Sequence, residues 1–144
     1  MSVVSVNLNL AAPDAASAIR DLTGLLSQTP EVTDPDRLLA DILARETLTC
    51  TFLGSGLAFP HARTDAVKQR VFAIGRSTDG VPYGAGGERA HLIVLIGCPK
   101  HDIKAYLDTN RKLLRRLRDP AVRAELMTTS DPSVFPRLLG LDGQ

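Results

Sequence analysis

Of the three histidines, His61 has the neighbours that suggest chemistry. It follows the apolar run Leu57-Ala58-Phe59 and Pro60, and precedes Ala62-Arg63-Thr64-Asp65. A side chain at a strand end beside a glycine-rich turn is exposed yet held in a fixed orientation. A neutral imidazole nitrogen is nucleophilic near pH 7, and the N–P bond it forms transfers readily, so the chemistry open to such a residue is relay of a phosphoryl group. From spacing alone, a surface or hydrogen-bonded structural histidine is the more frequent case. The other constellations fall short. His61, His91 and His101 contain no short-range ligand pair and lack a fourth ligand for zinc, so no metal is expected. Gly84–Gly87 is neither a P-loop nor a G-x-G-x-x-G fingerprint, and Ser55 is outside any G-x-S-x-G elbow; no cofactor is expected.

The elements that must position His61 are legible as alternating periods. Residues 14–27 carry Ala15, Ala18, Ile19, Leu22, Leu25 and Leu26 at helical spacing, and Thr29-Pro30 ends that helix. Asp34-Pro35 starts a second, with Leu38, Leu39, Ile42 and Leu43 as its buried stripe and Arg45-Glu46 at its end. Thr47–Phe52 reads as a short strand broken by Gly54-Ser55-Gly56. Leu57–Phe59 reads as another, closed by Pro60-His61. Val71–Gly75 and His91–Gly97 are stronger strands, the second continuously apolar from Leu92 to Ile96, as a strand covered on both faces must be. Asp79-Gly80 and Gly84-Ala85-Gly86-Gly87 mark turns between them. The longest helix spans about Asp102–Arg118, with Ile103, Tyr106, Leu107, Asn110, Leu113, Leu114 and Leu117 on one face. Short helices follow at Ala121–Met127 and after Asp131-Pro132.

These elements imply one α/β domain over residues 1–144, a length suited to a single core. Apolar residues make up 44%, charged residues 23% and aromatics only 4%, which excludes disordered and coiled-coil classes and leaves no stacking platform for nucleic acid. No run approaches the roughly 18–20 apolar residues of a membrane span, so direct membrane insertion is not expected. Met1–Leu10 lacks a basic secretory n-region, and two cysteines, Cys50 and Cys98, read as free, largely buried thiols; a cytoplasmic location is expected. Net charge is +1, yet residues 1–60 hold seven acidic and three basic residues, while residues 100–118 hold seven basic and two acidic.

Ala44-Arg45-Glu46, followed by Thr51-Phe52-Leu53-Gly54-Ser55-Gly56-Leu57-Ala58-Phe59-Pro60-His61-Ala62-Arg63, resembles the signature of the fructose/mannitol-type enzyme IIA domains of the bacterial phosphoenolpyruvate-dependent phosphotransferase system. The resemblance continues through the Val71–Ser77 and His91–Gly97 strands and the long helix. It implies a mixed β-sheet with helices on both faces, and His61 as phosphoryl acceptor. Arg45 would neutralise phosphate charge through its two-pronged guanidinium. Gly54, Ser55 and Gly56 would bring backbone N–H groups to the same phosphate. Many members carry a second histidine on the long helix; here Tyr106 stands there, with Asp108 two residues on. In this respect the chain resembles stand-alone or regulatory versions. The partners implied are a phosphohistidine carrier protein and a transporter permease or a regulatory protein. The alternative is a non-catalytic regulatory binding module of the same fold.

Overall fold

The computed structural model describes residues 3–84 and 86–141. Leu92–Ile96 forms the middle of its sheet for the reason its composition suggests. Leu92, Val94 and Ile96 point into one core, while Ile93 and Leu95 point into another on the opposite face. In chain order the elements are β1 (Val3–Asn7), α1 (Ala15–Leu26), α2 (Pro35–Leu48), β2 (Phe52–Gly54), β3 (Leu57–Ala58), β4 (His61–Arg63), β5 (Val71–Pro82), β6 (Arg89–Cys98), α3 (Ile103–Leu117), α4 (Pro120–Thr128) and α5 (Val134–Leu138). The strand order is β1-β5-β6-β3-β2, with β4 also paired to β6. The pairs β1–β5, β3–β6 and β4–β6 are parallel; β5–β6 and β2–β3 are antiparallel. Helices α1 and α2 supply Ile19, Leu22, Leu38 and Ile42 to one core. On the other face α3, α4 and α5 supply Leu113, Leu117, Leu126 and Phe135. The expected mixed sheet with helices on both faces is therefore the observed architecture.

Two helices matter most for the site. The Asp34 side chain accepts from the Arg37 amide at 3.0 Å, and Pro35 opens α2 where its missing N–H has no partner to lose. Such a cap is worth about 1 kcal/mol. The helix then lies directly on β6: a Cβ on Gly97 would come within 2.9 Å of the Leu38 side chain. A second tie joins α2 to the chain after β4, where the fully buried Thr64 hydroxyl donates to Asp41 Oδ2 at 2.6 Å. The short link from Cys98 to Ile103 sets the first turns of α3 beside the carboxyl end of β6, where β4 also pairs.

Several expected boundaries shift. Thr47 and Leu48 belong to α2, because the capped helix runs on for one more turn before the extended residue Thr49. Pro60 does not close the strand; pairing with β6 resumes at once, and His61 sits opposite Ile96. Asp79-Gly80 is a bulge inside one long β5, with the register shifting between Arg76 and Val81, rather than a turn. On α3, Tyr106, Thr109, Leu113 and Leu117 are buried, whereas Ile103 and Leu107 are exposed. Cys50 is exposed, not buried; both cysteines are free. The strand β1 had no counterpart in the sequence reading. Of the expected glycine turn, Ala85 lies outside the described residues, as do Met1 and Ser2 of the N-terminal segment.

Candidate functional site

The carboxyl end of β6, the end of α2 and the start of α3 enclose an open cavity of about 770 Å³. It is lined by Asp41, Ala44, Arg45, Thr47 and Leu48 from α2, by His61, Ala62 and Arg63 from β4, by Lys100, and by Tyr106 from α3. His61 is half-buried in its floor. Its ring packs edge-on against Phe59 at 5.8 Å and tilts against Tyr106 at 6.0 Å, centroid to centroid.

The protonation state of His61 follows from its contacts. Nδ1 lies 2.7 Å from the Phe59 carbonyl oxygen. A carbonyl only accepts, so Nδ1 carries the proton and, in the neutral ring, Nε2 holds the free lone pair. Burial lowers the pKa below its ordinary value of 6.5, and the nearby Arg45 charge pushes the same way, against the Phe59 bond and the Glu46 charge. The ring is therefore neutral at pH 7. A neutral imidazole with one nitrogen anchored and the other available is a nucleophile of fixed direction.

Around it the charges are mainly positive. Arg45, Arg63 and Lys100 line the cavity. Asp41 is its one acidic lining residue, and its carboxylate already holds the Thr64 hydroxyl and Arg37, the latter at 3.2 Å. Asp108 turns outward and pairs with Lys112 at 3.3 Å, so it does not oppose an anion at His61. Tyr106 is only 6% exposed. Burial raises its pKa, and a hydrogen bond from Asn110 pulls it back.

In the sequence Glu46 stands out only as the neighbour of Arg45. The structure gives it a positioning task. Its Oε2 accepts from the Thr51 amide at 2.8 Å, and its Oε1 from the Thr51 hydroxyl at 2.7 Å and the Tyr83 hydroxyl at 2.9 Å. Burial raises the Tyr83 pKa, so the phenol remains a neutral donor. This clamp fixes the last turn of α2, which carries Arg45. Its two bonds to Thr51 span five residues, but the one to Tyr83 spans 37, and no local signal could reveal it.

Gly54, Ser55 and Gly56 are not brought to the cavity. Leu57 is in register with Leu92 and His61 with Ile96, so four residues of strand, roughly 13 Å, separate the two ends. The glycine turn lies at the far end. There Arg123 donates to the Ser55 carbonyl at 2.7 Å, and Gly56 adopts φ 73° beside the His91 ring. The three positive φ values are a turn requirement, which accounts for the glycines without a phosphate. His91 sits at this far end and His101 is exposed ahead of α3, so the three histidines do not converge.

Comparison with known proteins bears on the fold and the family. The chain is 33% identical over 111 residues to the PTS system fructose-specific EIIA component of Haloferax volcanii, covering 76% of this chain and 72% of that one. It is 29% identical over 124 residues to the PTS system fructose-specific EIIABC component of Bacillus subtilis, matching 85% of this chain but spanning only 20% of that protein's length. In structure it resembles the nitrogen regulatory protein IIA-Ntr of Neisseria meningitidis, with a TM-score of 0.86 at 25% identity over 95% of this chain and 96% of that one. It also resembles IIA mannitol of Escherichia coli, with a TM-score of 0.77 at 25% identity over 94% and 95% of the two chains. Among the described residues no helix is long and apolar enough to cross a membrane. Residues 1–140 match the family described as phosphoenolpyruvate-dependent sugar phosphotransferase system, EIIA 2, and the chain belongs to that family.

Proposed function

We propose that this chain is a phosphocarrier in which His61 Nε2 accepts a phosphoryl group from a phosphohistidine carrier protein and passes it to a transporter permease or a regulatory protein. The observation that carries this reading is the anchored ring. With Nδ1–H committed to Phe59, Nε2 is the nitrogen that faces an open, cationic cavity. The Nε2 lone pair forms a bond to phosphorus as the donor's N–P bond breaks, and the donor imidazole keeps the released electron pair. Nδ1–H stays on the Phe59 carbonyl throughout and stabilises the positive charge that develops on the ring. Arg45 and Arg63 meet the phosphoryl oxygens; such transfer asks mainly for positioning and charge stabilisation. The Tyr106 hydroxyl donates a further hydrogen bond in place of a second imidazole. Gly54, Ser55 and Gly56 shape the turn ahead of β3 and take no part in holding phosphate. The reading carries with it a cytoplasmic location, because the donor chain it invokes starts from the metabolite phosphoenolpyruvate.

Incubation with phosphoenolpyruvate, enzyme I and the carrier protein, followed by intact mass, tests this. One acid-labile phosphoryl group per chain supports it, and His61→Ala must remove that group. Tyr106 and the likeness to IIA-Ntr favour a second reading, in which the phosphorylation state of His61 is itself the output, read by a bound regulator. Loss of the phosphoryl group to a permease domain supports the carrier reading. Retention, together with partner binding that depends on it, supports the second.

A further inference from the structure

Helix α3 buries Tyr106, Thr109, Leu113 and Leu117 and turns a different chemistry to solvent. Lys104, Arg111 and Arg118 recur every seven residues, close to two turns of helix, so they stand in one row, with Arg115 beside them. All four are exposed, and among the described residues none forms an ion pair. Within residues 102–118 Asp108 is held by Lys112 at 3.3 Å, which leaves Asp102 as the one carboxylate without an ion pair. A second row runs alongside: Ile103 is 46% and Leu107 54% exposed, and Leu114 is half-buried. The strip is roughly 22 Å long, the length of α3. Two shallow depressions on it, one around Lys104 and Leu107 and the other around Leu114 and Arg115, are lined only by α3 and its capping residues Asp102 and Arg118. No second element supplies an opposite wall. A partner's helix or peptide docks in a groove with sides. An unwalled row of cations beside exposed aliphatic side chains suits a broad, planar surface of negative charge.

We propose that α3 lies flat on the surface of an anionic lipid bilayer. Lys104, Arg111, Arg115 and Arg118 meet the headgroup phosphates, and Ile103 and Leu107 enter the headgroup region beside them. This is contact with a surface and not a span; a basic amphipathic helix holds to a membrane by charge attraction plus shallow apolar burial. Tyr106, which lines the His61 cavity from α3, belongs to the buried side of the helix, so the cavity stays open while the outer strip is occupied. Binding of this kind needs nothing from His61 and stands apart from phosphoryl transfer. Where both hold, the bilayer brings the carrier to the plane of a membrane-embedded acceptor.

The test is co-sedimentation of the full chain with vesicles of phosphatidylglycerol and phosphatidylcholine, against vesicles of phosphatidylcholine alone. The chain is expected to partition onto the anionic vesicles at low salt, to leave them as salt rises, and to ignore the neutral ones. Each Lys or Arg near such a surface strengthens partition roughly fivefold, so Arg111→Glu with Arg115→Glu weakens it by about tenfold or more. Leu107→Ser weakens it while keeping the salt dependence. Arg20→Glu with Lys68→Glu changes the net charge equally at exposed positions outside α3, and leaves partition nearly unchanged. Thermal unfolding establishes that each variant sedimented is folded. Absence of partition onto anionic vesicles at low salt overturns the proposal, as does equal partition onto neutral ones. An equal loss in the Arg20 and Lys68 pair overturns it by reducing the attraction to net charge. Capture of the chain by poly-glutamate, lost in the Arg111 and Arg115 pair and without binding to vesicles, overturns the bilayer and assigns the strip to an acidic protein.

Discussion

His61 and His91 lie toward opposite ends of the sheet and make the same anchoring bond. Each presents Nδ1 to a backbone carbonyl, His61 to Phe59 at 2.7 Å and His91 to Ser77 at 2.9 Å. Each has an arginine close by. The difference is what the other edge of the ring meets. The two carbons flanking His91 Nε2 pack against glycines: Cδ2 lies 3.1 Å from where a Cβ on Gly56 would stand, and Cε1 lies 3.0 Å from that point on Gly80. Its arginine, Arg123, is spent on the Ser55 carbonyl. The corresponding edge of His61 faces a cavity whose arginines hold no carboxylate. Tautomer control alone therefore does not distinguish the two rings; Arg45 and Arg123 each donate to a backbone carbonyl, and open access to the second nitrogen is what sets His61 apart from His91.

The largest expected effects break this comparison outright. His61→Ala abolishes phosphoryl acceptance from the carrier protein, and His91→Ala leaves the rate per folded molecule unchanged while lowering the melting temperature. Intact mass and thermal unfolding on the two variants read both. Next come the cations. Arg45→Gln and Arg63→Gln each remove a hydrogen bond to a charged group, worth about 1.5–3 kcal/mol, and so slow transfer by roughly 10- to 100-fold in single-turnover assays.

The pH dependence has a definite sign. Because the folded pKa of His61 lies below 6.5, acceptance holds steady above that value and falls as pH drops through the depressed pKa. Removing the Arg45 charge lifts one of the two lowering influences, so the acid limb moves to higher pH in Arg45→Gln. Stability follows the same window: below pH 6.5 the unfolded chain binds the proton first, so folding loses free energy as pH falls toward the folded pKa. His61→Gln flattens that slope in urea titrations run across the window.

Much of this architecture was written locally, and what was not has identifiable causes. The uninterrupted Leu92–Ile96 run and the Asp34-Pro35 cap each carry their own cause, and β6 and α2 stand where those signals placed them. Arg45 and His61 were joined by the family resemblance rather than by spacing, and both line one cavity. Thr47-Leu48 misled because a β-branched residue in a final helical turn resembles a strand start, while the cap upstream carried the helix through it. The glycine turn was misplaced because sequence proximity to His61 says nothing about how far a strand carries the chain. Glu46, Tyr83 and the Asp41–Thr64 bond depend on contacts between distant segments, and nothing local encodes them.

Smaller effects sharpen the contrast at the far end and in the pocket wall. Gly56→Ala puts a Cβ at φ 73° and 3.1 Å from His91, costing about 1–2 kcal/mol of stability with no change in transfer by the folded protein. Tyr106→Phe lowers acceptance by the worth of one hydrogen bond, about 0.5–1.5 kcal/mol. Tyr106→His raises acceptance if a second imidazole is what the pocket lacks. Were Tyr106 only packing, Tyr106→Phe would be silent and Tyr106→His would only destabilise. Transfer rate and melting temperature on both variants separate the accounts.

The most direct test of the account is the identity of the phosphorylated nitrogen. Phosphorus-coupled NMR of the chain charged by the carrier protein assigns both residue and ring position. The account predicts a single phosphohistidine at His61, bonded through Nε2, with Nδ1–H still held by the Phe59 carbonyl. Phosphate on Nδ1 of His61, or on His91 or His101, would contradict it.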